Sequence, residues 1–91
     1  MTRKITLYSN GSDDGDEYGF GLRVVGLLDS NITVGRVLWI GPGGPAHAGG
    51  IRVGDNILEW DGLPLSTVPI EDIPEFVETC INMTVTVVLQ R

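Results

Sequence analysis

Residues 17–26 of the chain read EYGFGLRVVG, in which Gly19 and Gly21 flank Phe20 just before an apolar run. Glycine weakens a strand and often marks a position where the backbone turns or another group approaches closely. The N–H groups that a short Gly-x-Gly loop exposes can hold an anion. The neighbouring residues decide whether that anion is a nucleotide phosphate, a carboxylate, or none.

The residues after the loop argue against a nucleotide. Residues 22–28, LRVVGLL, read as a strand, and the third glycine of a dinucleotide fingerprint and the Lys-Ser/Thr of a P-loop are both missing. Nucleotide loops precede a helix, whose N-terminus carries the phosphate. The N–H groups of Phe20, Gly21 and Leu22 would instead converge at the open end of a sheet edge. That arrangement suits the terminal carboxylate of an extended peptide.

Composition indicates one globular domain spanning residues 1–91, with 42% hydrophobic and 20% charged residues. The formal net charge is −6 and the six basic residues are scattered, which disfavours nucleic acid and anionic membrane surfaces as partners. No apolar run approaches the roughly 20 residues that span a membrane, and the N-terminus lacks the apolar core of a signal peptide. The single Cys80 fits a reducing, cytoplasmic compartment, with any membrane association through partners.

Catalytic and metal-binding patterns are missing from the sequence. His47 is the only histidine and stands in a glycine-rich turn, GPAHAGG. The acidic stretch DDGDE, residues 13–17, lacks the spacing of ligand residues that a calcium-binding loop requires. We therefore expect no enzyme activity, no metal and no cofactor.

Alternating and β-branched segments predict strands at 4–8, 20–28, 34–40, 56–60 and 84–90, with a brief extended piece at 63–65. The segment GPGGPAHAGG leaves room for one helical turn at 45–48. A longer helix is predicted over 70–81, where Ile70, Val77 and Ile81 fall within about 40° of one another at 100° per residue. The wide apolar sector favours a helix with one edge on the core and the other lining a groove. A helix packed entirely in the core is the alternative.

Pro74 leaves the start of this helix open, because proline inside a helix costs about 3 kcal/mol. The helix can begin at Ile73, with Asp72 as N-cap and Glu75 completing a capping box. It can also begin at Pro69 and carry a kink. The first alternative is favoured.

Gly19-Phe20-Gly21-Leu22 resembles the Gly-Φ-Gly-Φ carboxylate-binding loop of PDZ domains, where Φ is an apolar residue. The segments RVLWIGPGGPA, AGGIRVGDNILEWDG, IEDIPEFV and TVTVVLQR follow in the family's order, so the resemblance covers essentially the whole chain. It implies a mainly β fold: a partly open sandwich or barrel of five or six strands, capped by one short and one longer helix. GDNILEWDG followed by IEDI looks most like the domains of presynaptic active-zone scaffolds of the RIM and piccolo kind.

The resemblance implies a non-catalytic, monomeric scaffold module that binds the free C-terminal tail of a protein partner. The tail would add as an antiparallel strand between strand 20–25 and helix 70–81, with its carboxylate on the N–H groups of Phe20, Gly21 and Leu22. Two alternatives stay open. The chain could be a regulatory module of a protease or other enzyme, or it could bind internal motifs or dimerise through its edge strand.

Phe20, Leu22 and Val24 are alternate residues of the predicted strand, so their side chains point to the same face. Together with Val77 and Ile81 they are expected to line a pocket for the last ligand side chain. The family's helix-start position falls on Ile70, which predicts an apolar ligand ending Φ-x-Φ-COOH. If Pro74 shifts the helix start, Ile70 belongs to the core instead. The predicted ligand-binding residues are Gly19, Phe20, Gly21, Leu22, Arg23, Val24, Val25, Ile70, Pro74, Val77 and Ile81.

The loop is preceded by SDDGDE, residues 12–17, where many PDZ domains carry a basic residue. Acids beside an anion site weaken it unless Arg3 or Lys4 reaches in or the ligand supplies a cation. We expect the second, a ligand with basic residues upstream of its terminus.

Overall fold

A computed structural model describes residues 1–9 and 19–91. Over these residues the fold is mainly β, as predicted, with one antiparallel sheet in the order β1-β6-β4-β3-β2 and a short β5 paired with β4. The strands are β1 Thr2–Tyr8, β2 Leu22–Asp29, β3 Ile32–Ile40, β4 Asn56–Trp60, β5 Leu63–Pro64 and β6 Thr84–Gln90. The helices are α1 Pro45–Ala48 and α2 Ile73–Glu78, with 3₁₀ turns at Leu65–Thr67 and Ile70–Asp72. None of the helices in the described ranges has the length and hydrophobicity needed to cross a membrane.

The β2–β3 hairpin places β2 at one end of the sheet. Ser30 and Asn31 both have positive φ, 52° and 67°, which gives the tight two-residue turn whose twist matches the flanking strands. Behind the turn, the Asn56 side chain donates to Asp29 Oδ2 and accepts from Arg36 Nε, both at 2.9 Å. This network joins β2, β3 and β4 at the hairpin end.

A bulge on β3 lies opposite the start of β2. Arg23 pairs with Trp39 and Val24 with Val37, so Leu38 is the extra residue. The bulge breaks the in-out alternation, and Leu38 and Trp39 are consequently both exposed. It also places the Trp39 ring beside Arg23, whose guanidinium carbon lies 5.9 Å from the ring centroid.

The core lies between the sheet and α2. Trp60 and Phe20 are its largest members, each 1% exposed, and their rings meet edge to face with centroids 5.8 Å apart. Helix α2 contributes Ile73 and Val77, both fully buried. Each large apolar side chain that becomes fully buried contributes about 1.5–3 kcal/mol, so these contacts account for much of the fold's stability.

Helix α2 is shorter than the predicted 70–81. The regular helix begins at Ile73, as favoured, with Pro74 in its first turn and the 3₁₀ turn directly before it. The predicted capping box is wrong: Asp72 has helical φ and ψ because the 3₁₀ turn runs on into the helix, and its side chain makes no capping bond. At the other end, the N–H of Thr79 still bonds to Glu75 O, but its backbone leaves the helical region.

Asp55 is the one charged residue among the buried positions of the described ranges, 3% exposed, and lies just before β4. Arg91 binds it through two hydrogen bonds, Nε to Oδ1 at 2.9 Å and a terminal nitrogen to Oδ2 at 2.7 Å. The Arg52 N–H also donates to Oδ2. Burial alone would raise the pKa of Asp55, but the hydrogen bonds from Arg91 and Arg52 outweigh it and lower that pKa below its ordinary value.

The lowered pKa of Asp55 makes the pair a source of pH-dependent stability. Because the carboxyl binds its proton less readily in the folded state, its contribution is present above its unfolded pKa of about 4 and is lost as pH falls through the folded value. We expect Arg91→Gln to lower the melting temperature at pH 7 and to reduce the fall in melting temperature between pH 7 and pH 3, as measured by circular dichroism. Lys4→Gln removes an exposed charge and serves as the control. An equal fall in R91Q and the wild type would contradict this role.

Candidate functional site

The loop before β2 directs consecutive N–H groups to one side. Gly19 and Gly21 have φ of 86° and 74°, and Phe20 between them is anchored in the core. The carbonyl of Phe20 accepts from Ala46 N, and that of Gly21 accepts from Gly41 N, both at 2.8 Å. Since the C=O and N–H of a trans peptide point in opposite directions, the N–H groups of Gly21 and Leu22 point away from these donors. Two N–H groups with a shared direction can bind an anion.

Beyond the loop, one edge of β2 pairs with no other strand of the described residues. Successive residues of a strand point their backbone groups to opposite sides. The Gly21 carbonyl faces Gly41 at the end of β3, whereas the Val24 N–H points away from β3 and bonds to α2. The backbone groups of Leu22, Val24 and Gly26 therefore lie along the edge that β3 leaves unpaired.

Helix α2 runs antiparallel to this edge: the 3₁₀ turn before it meets Gly26 of β2, and its last residue meets Gly19 in the loop before β2. A Cβ at Gly26 would fall far inside van der Waals contact of the Ile70 carbonyl oxygen. A Cβ at Gly19 would lie 2.5 Å from the Glu78 carbonyl oxygen. Glycine at these two positions is what lets α2 and its preceding turn approach β2 this closely. Helix α2 and the turn before it pack against β2, and we call the surface between them and the free edge of β2 the β2–α2 groove.

The groove has an apolar base. Leu22, Val24 and Val77 are buried, with exposures of 5%, 4% and 0%, and belong with Phe20 to the core cluster. The predicted pocket walls on β2 and the predicted wall at Val77 are thus brought together. Ile81 is not among them, because it lies beyond the end of α2 and is 76% exposed.

The sequence matches the family model of the PDZ domain over residues 12–90. The chain belongs to the PDZ domain family. PDZ domains are protein-interaction modules, and the groove described above lies between the two elements named from the sequence as the peptide site. A search of curated proteins found no significant match.

Solved PDZ structures share the fold at low identity. The third PDZ domain of INAD, in complex with a TRP channel tail, has a TM-score of 0.75 and 16% identity over 99% of this chain and 86% of its own. TIP-1 has a TM-score of 0.77 and 20% identity, with 100% and 87% covered. The first PDZ domain of dmPar3, in complex with the dmPar6 PBM, has a TM-score of 0.74 and 21% identity, with 98% and 93% covered. The narrower resemblance to RIM and piccolo scaffolds finds no support in these comparisons.

Of the other predicted residues of this PDZ domain, Ile70 and Pro74 lie beside the groove, whereas Arg23 and Val25 do not. Ile70 is 39% exposed in the 3₁₀ turn, level with Gly26, so it is not a core residue. Pro74 is half-buried in the first turn of α2. Arg23 and Val25 point to the opposite face of β2 and are exposed, and β2 begins at Leu22 because Phe20 and Gly21 form the bend before it.

Glu78 is a groove residue that the sequence did not indicate. On a helical projection of residues 70–81, Glu78 falls on the arc opposite the apolar sector, yet its Oε2 accepts the Val24 N–H at 2.9 Å. It stands at the last position of α2, directly after the buried Val77. Two features of the sequence could have indicated this contact. Glu78 directly follows a residue of the helix's apolar sector, and the N–H groups of an edge strand need acceptors.

Residues 70–78, which run beside the groove, are acidic, and we call this segment the acidic wall. Residues 70–78 include Glu71, Asp72, Glu75 and Glu78 and no Lys or Arg. Arg3 and Lys4 line a different cleft of about 580 Å³, together with His47 and Arg52, and no residue of the loop contributes to that cleft. The acids of SDDGDE lie outside the described residues.

Gly26 provides a direct test of the close approach between β2 and α2. We expect Gly26→Ala to destabilise the domain by about 1–3 kcal/mol, because the new methyl group must displace the Ile70 carbonyl. Urea unfolding measures the change, with Val25→Ala at the neighbouring exposed position as the control. A G26A domain as stable as the wild type would show that α2 does not need to lie this close.

Proposed function

We propose that this PDZ domain binds the free C-terminal segment of a partner protein by adding it as an antiparallel strand to the edge of β2. The observation that supports this most directly is the shared direction of the Gly21 and Leu22 N–H groups at the start of a free strand edge. They suit the terminal carboxylate, and the outward groups of Leu22, Val24 and Gly26 suit the ligand main chain.

The proposed ligand is apolar at its end. Leu22, Val24 and Val77 offer only hydrocarbon to a terminal side chain, which gains about 1.5–3 kcal/mol from full burial. Ile70 stands further along the groove and offers no hydrogen bond to a ligand hydroxyl. These features support a ligand of the form Φ-x-Φ-COOH. The acids of residues 70–78 favour a ligand that also carries Lys or Arg upstream of its terminus.

The carboxylate is tested with a pair of peptides that differ in one group. A peptide ending Leu-Ser-Val-COOH should bind at least about tenfold more tightly than its C-terminal amide, because the amide replaces a charge-assisted contact. Isothermal titration calorimetry measures both affinities. Equal affinity would reject the carboxylate mechanism and favour recognition of an internal strand.

The predicted upstream cation is tested with salt. A peptide with two Lys residues upstream of Leu-Ser-Val-COOH should lose affinity as ionic strength rises toward about 1 M, where the screening length is only about 3 Å. The control has two Ser residues in their place and should respond much less to salt. The same salt dependence for both peptides would show that the acidic wall does not contribute to recognition.

A further inference from the structure

The Glu78 carboxylate occupies a hydrogen-bonding position on the free edge of β2. Its Oε2 accepts the Val24 N–H at 2.9 Å, although the two residues are 54 positions apart in the chain. Val24 lies between Leu22 and Gly26, whose backbone groups point the same way. If the last ligand residue pairs with Leu22, the residue two before it pairs with Val24. The main-chain carbonyl of that ligand residue and the Glu78 carboxylate therefore need the same N–H.

Glu78 is a strong competitor for that N–H. A hydrogen bond to an ionised carboxylate is about twice as strong as one to a neutral carbonyl. The close approach of the Glu78 carbonyl to Gly19 also fixes the main chain of this residue beside the loop. The carboxylate is consequently presented to the edge by the packing of α2. Its side chain must turn away before a ligand strand can pair along the whole edge.

We propose that Glu78 is an intramolecular competitor for the edge of β2 in the β2–α2 groove. In the free protein its carboxylate takes the place of a partner's main-chain carbonyl on Val24, and a peptide binds by exchanging with it. On binding, the Val24 N–H exchanges the charged Glu78 carboxylate for a neutral peptide carbonyl. The new main-chain hydrogen bond alone does not compensate for the stronger one that is lost. A ligand must add contacts at the loop and in the apolar base. This inference rests on the proposed function for its effect on binding, but the contact itself exists without a ligand.

The contact is tested first in the free protein by amide hydrogen exchange, followed by NMR. We expect the Val24 amide to exchange at least about tenfold faster in Glu78→Ala than in the wild type, because a buried N–H loses a charged acceptor. Glu75→Ala removes the same charge from an exposed position of α2 and should leave the Val24 amide unchanged. Equal exchange at Val24 in E78A and the wild type overturns the proposal, whether or not any peptide binds.

The effect on binding is tested with Leu-Ser-Val-COOH and its amide. The apparent affinity equals the intrinsic affinity multiplied by the fraction of protein in which the edge is open. Because E78A lacks the competing side chain, it should bind both peptides more tightly, by about tenfold for the free acid. Glu78→Gln keeps a side-chain acceptor but removes the charge. Because a neutral acceptor competes less strongly than a carboxylate for the Val24 N–H, E78Q should improve the binding of both peptides, by less than E78A does. E75Q and E75A serve as charge-matched controls.

The outcomes separate the two proposals. If the free acid binds the wild type, E78A and E75A with equal affinity, the competition by Glu78 is rejected and the proposed function stands. If neither peptide binds the wild type or E78A, the proposed function fails, and the Val24 exchange measurement alone decides whether Glu78 covers the edge. Tighter binding by E78A but not by E75A supports both.

Discussion

The contact between the Phe20 and Trp60 rings connects the loop beside the β2–α2 groove to the centre of the sheet. The two rings meet edge to face at 76°, with both side chains 1% exposed. Such a contact is worth about 0.5–1.5 kcal/mol beyond the area it buries. Its larger effect is geometric, because Phe20 stands between two glycines that could otherwise adopt many conformations. The buried ring fixes the peptide planes on either side of it, and the directions of the N–H groups follow.

The indole nitrogen of Trp60 is buried without an acceptor among the described residues. At this position the packing of the ring outweighs the cost of a buried N–H group without a hydrogen bond.

Much of the sheet could be predicted from the sequence, because its signals are local. The strands at residues 56–60 and 84–90 were predicted with the bounds they have, and so was the helical turn at 45–48. Glycines in the flanking turns delimit the segments at 45–48 and 56–60, and β-branched residues dominate the strand at 84–90. The Gly-x-Gly loop before a strand is also a local pattern, and its resemblance to the PDZ loop indicates the correct family. The predicted start of α2 at Ile73 is also correct, since Pro74 tolerates only the first turn of a helix.

The errors arose where a local pattern was extended beyond its element. Ile81 fits the apolar sector of an ideal helix, but α2 has already ended at Glu78 and the projection has no meaning beyond that point. Glu78 lies within α2, but the same projection places it opposite the apolar sector and so gives no sign of its contact. Its actual partner is a main-chain N–H on a strand 54 residues earlier, which no local period can reveal. The role of Gly26 was likewise hidden, because only the packed structure shows the Ile70 carbonyl against it.

The bulge in β3 gives the domain two tryptophans in unlike surroundings. Trp60 is fully buried, whereas Trp39 is 48% exposed and lies over Arg23 on the strand that forms the groove. The intrinsic fluorescence of the protein therefore combines a component from the core with a component from the surface of β3 beside β2. The second is sensitive to solvent and to the nearby guanidinium, and the first is sensitive to the integrity of the fold. One unlabelled spectrum thus carries separate optical signals for folding and for events at the edge of β2.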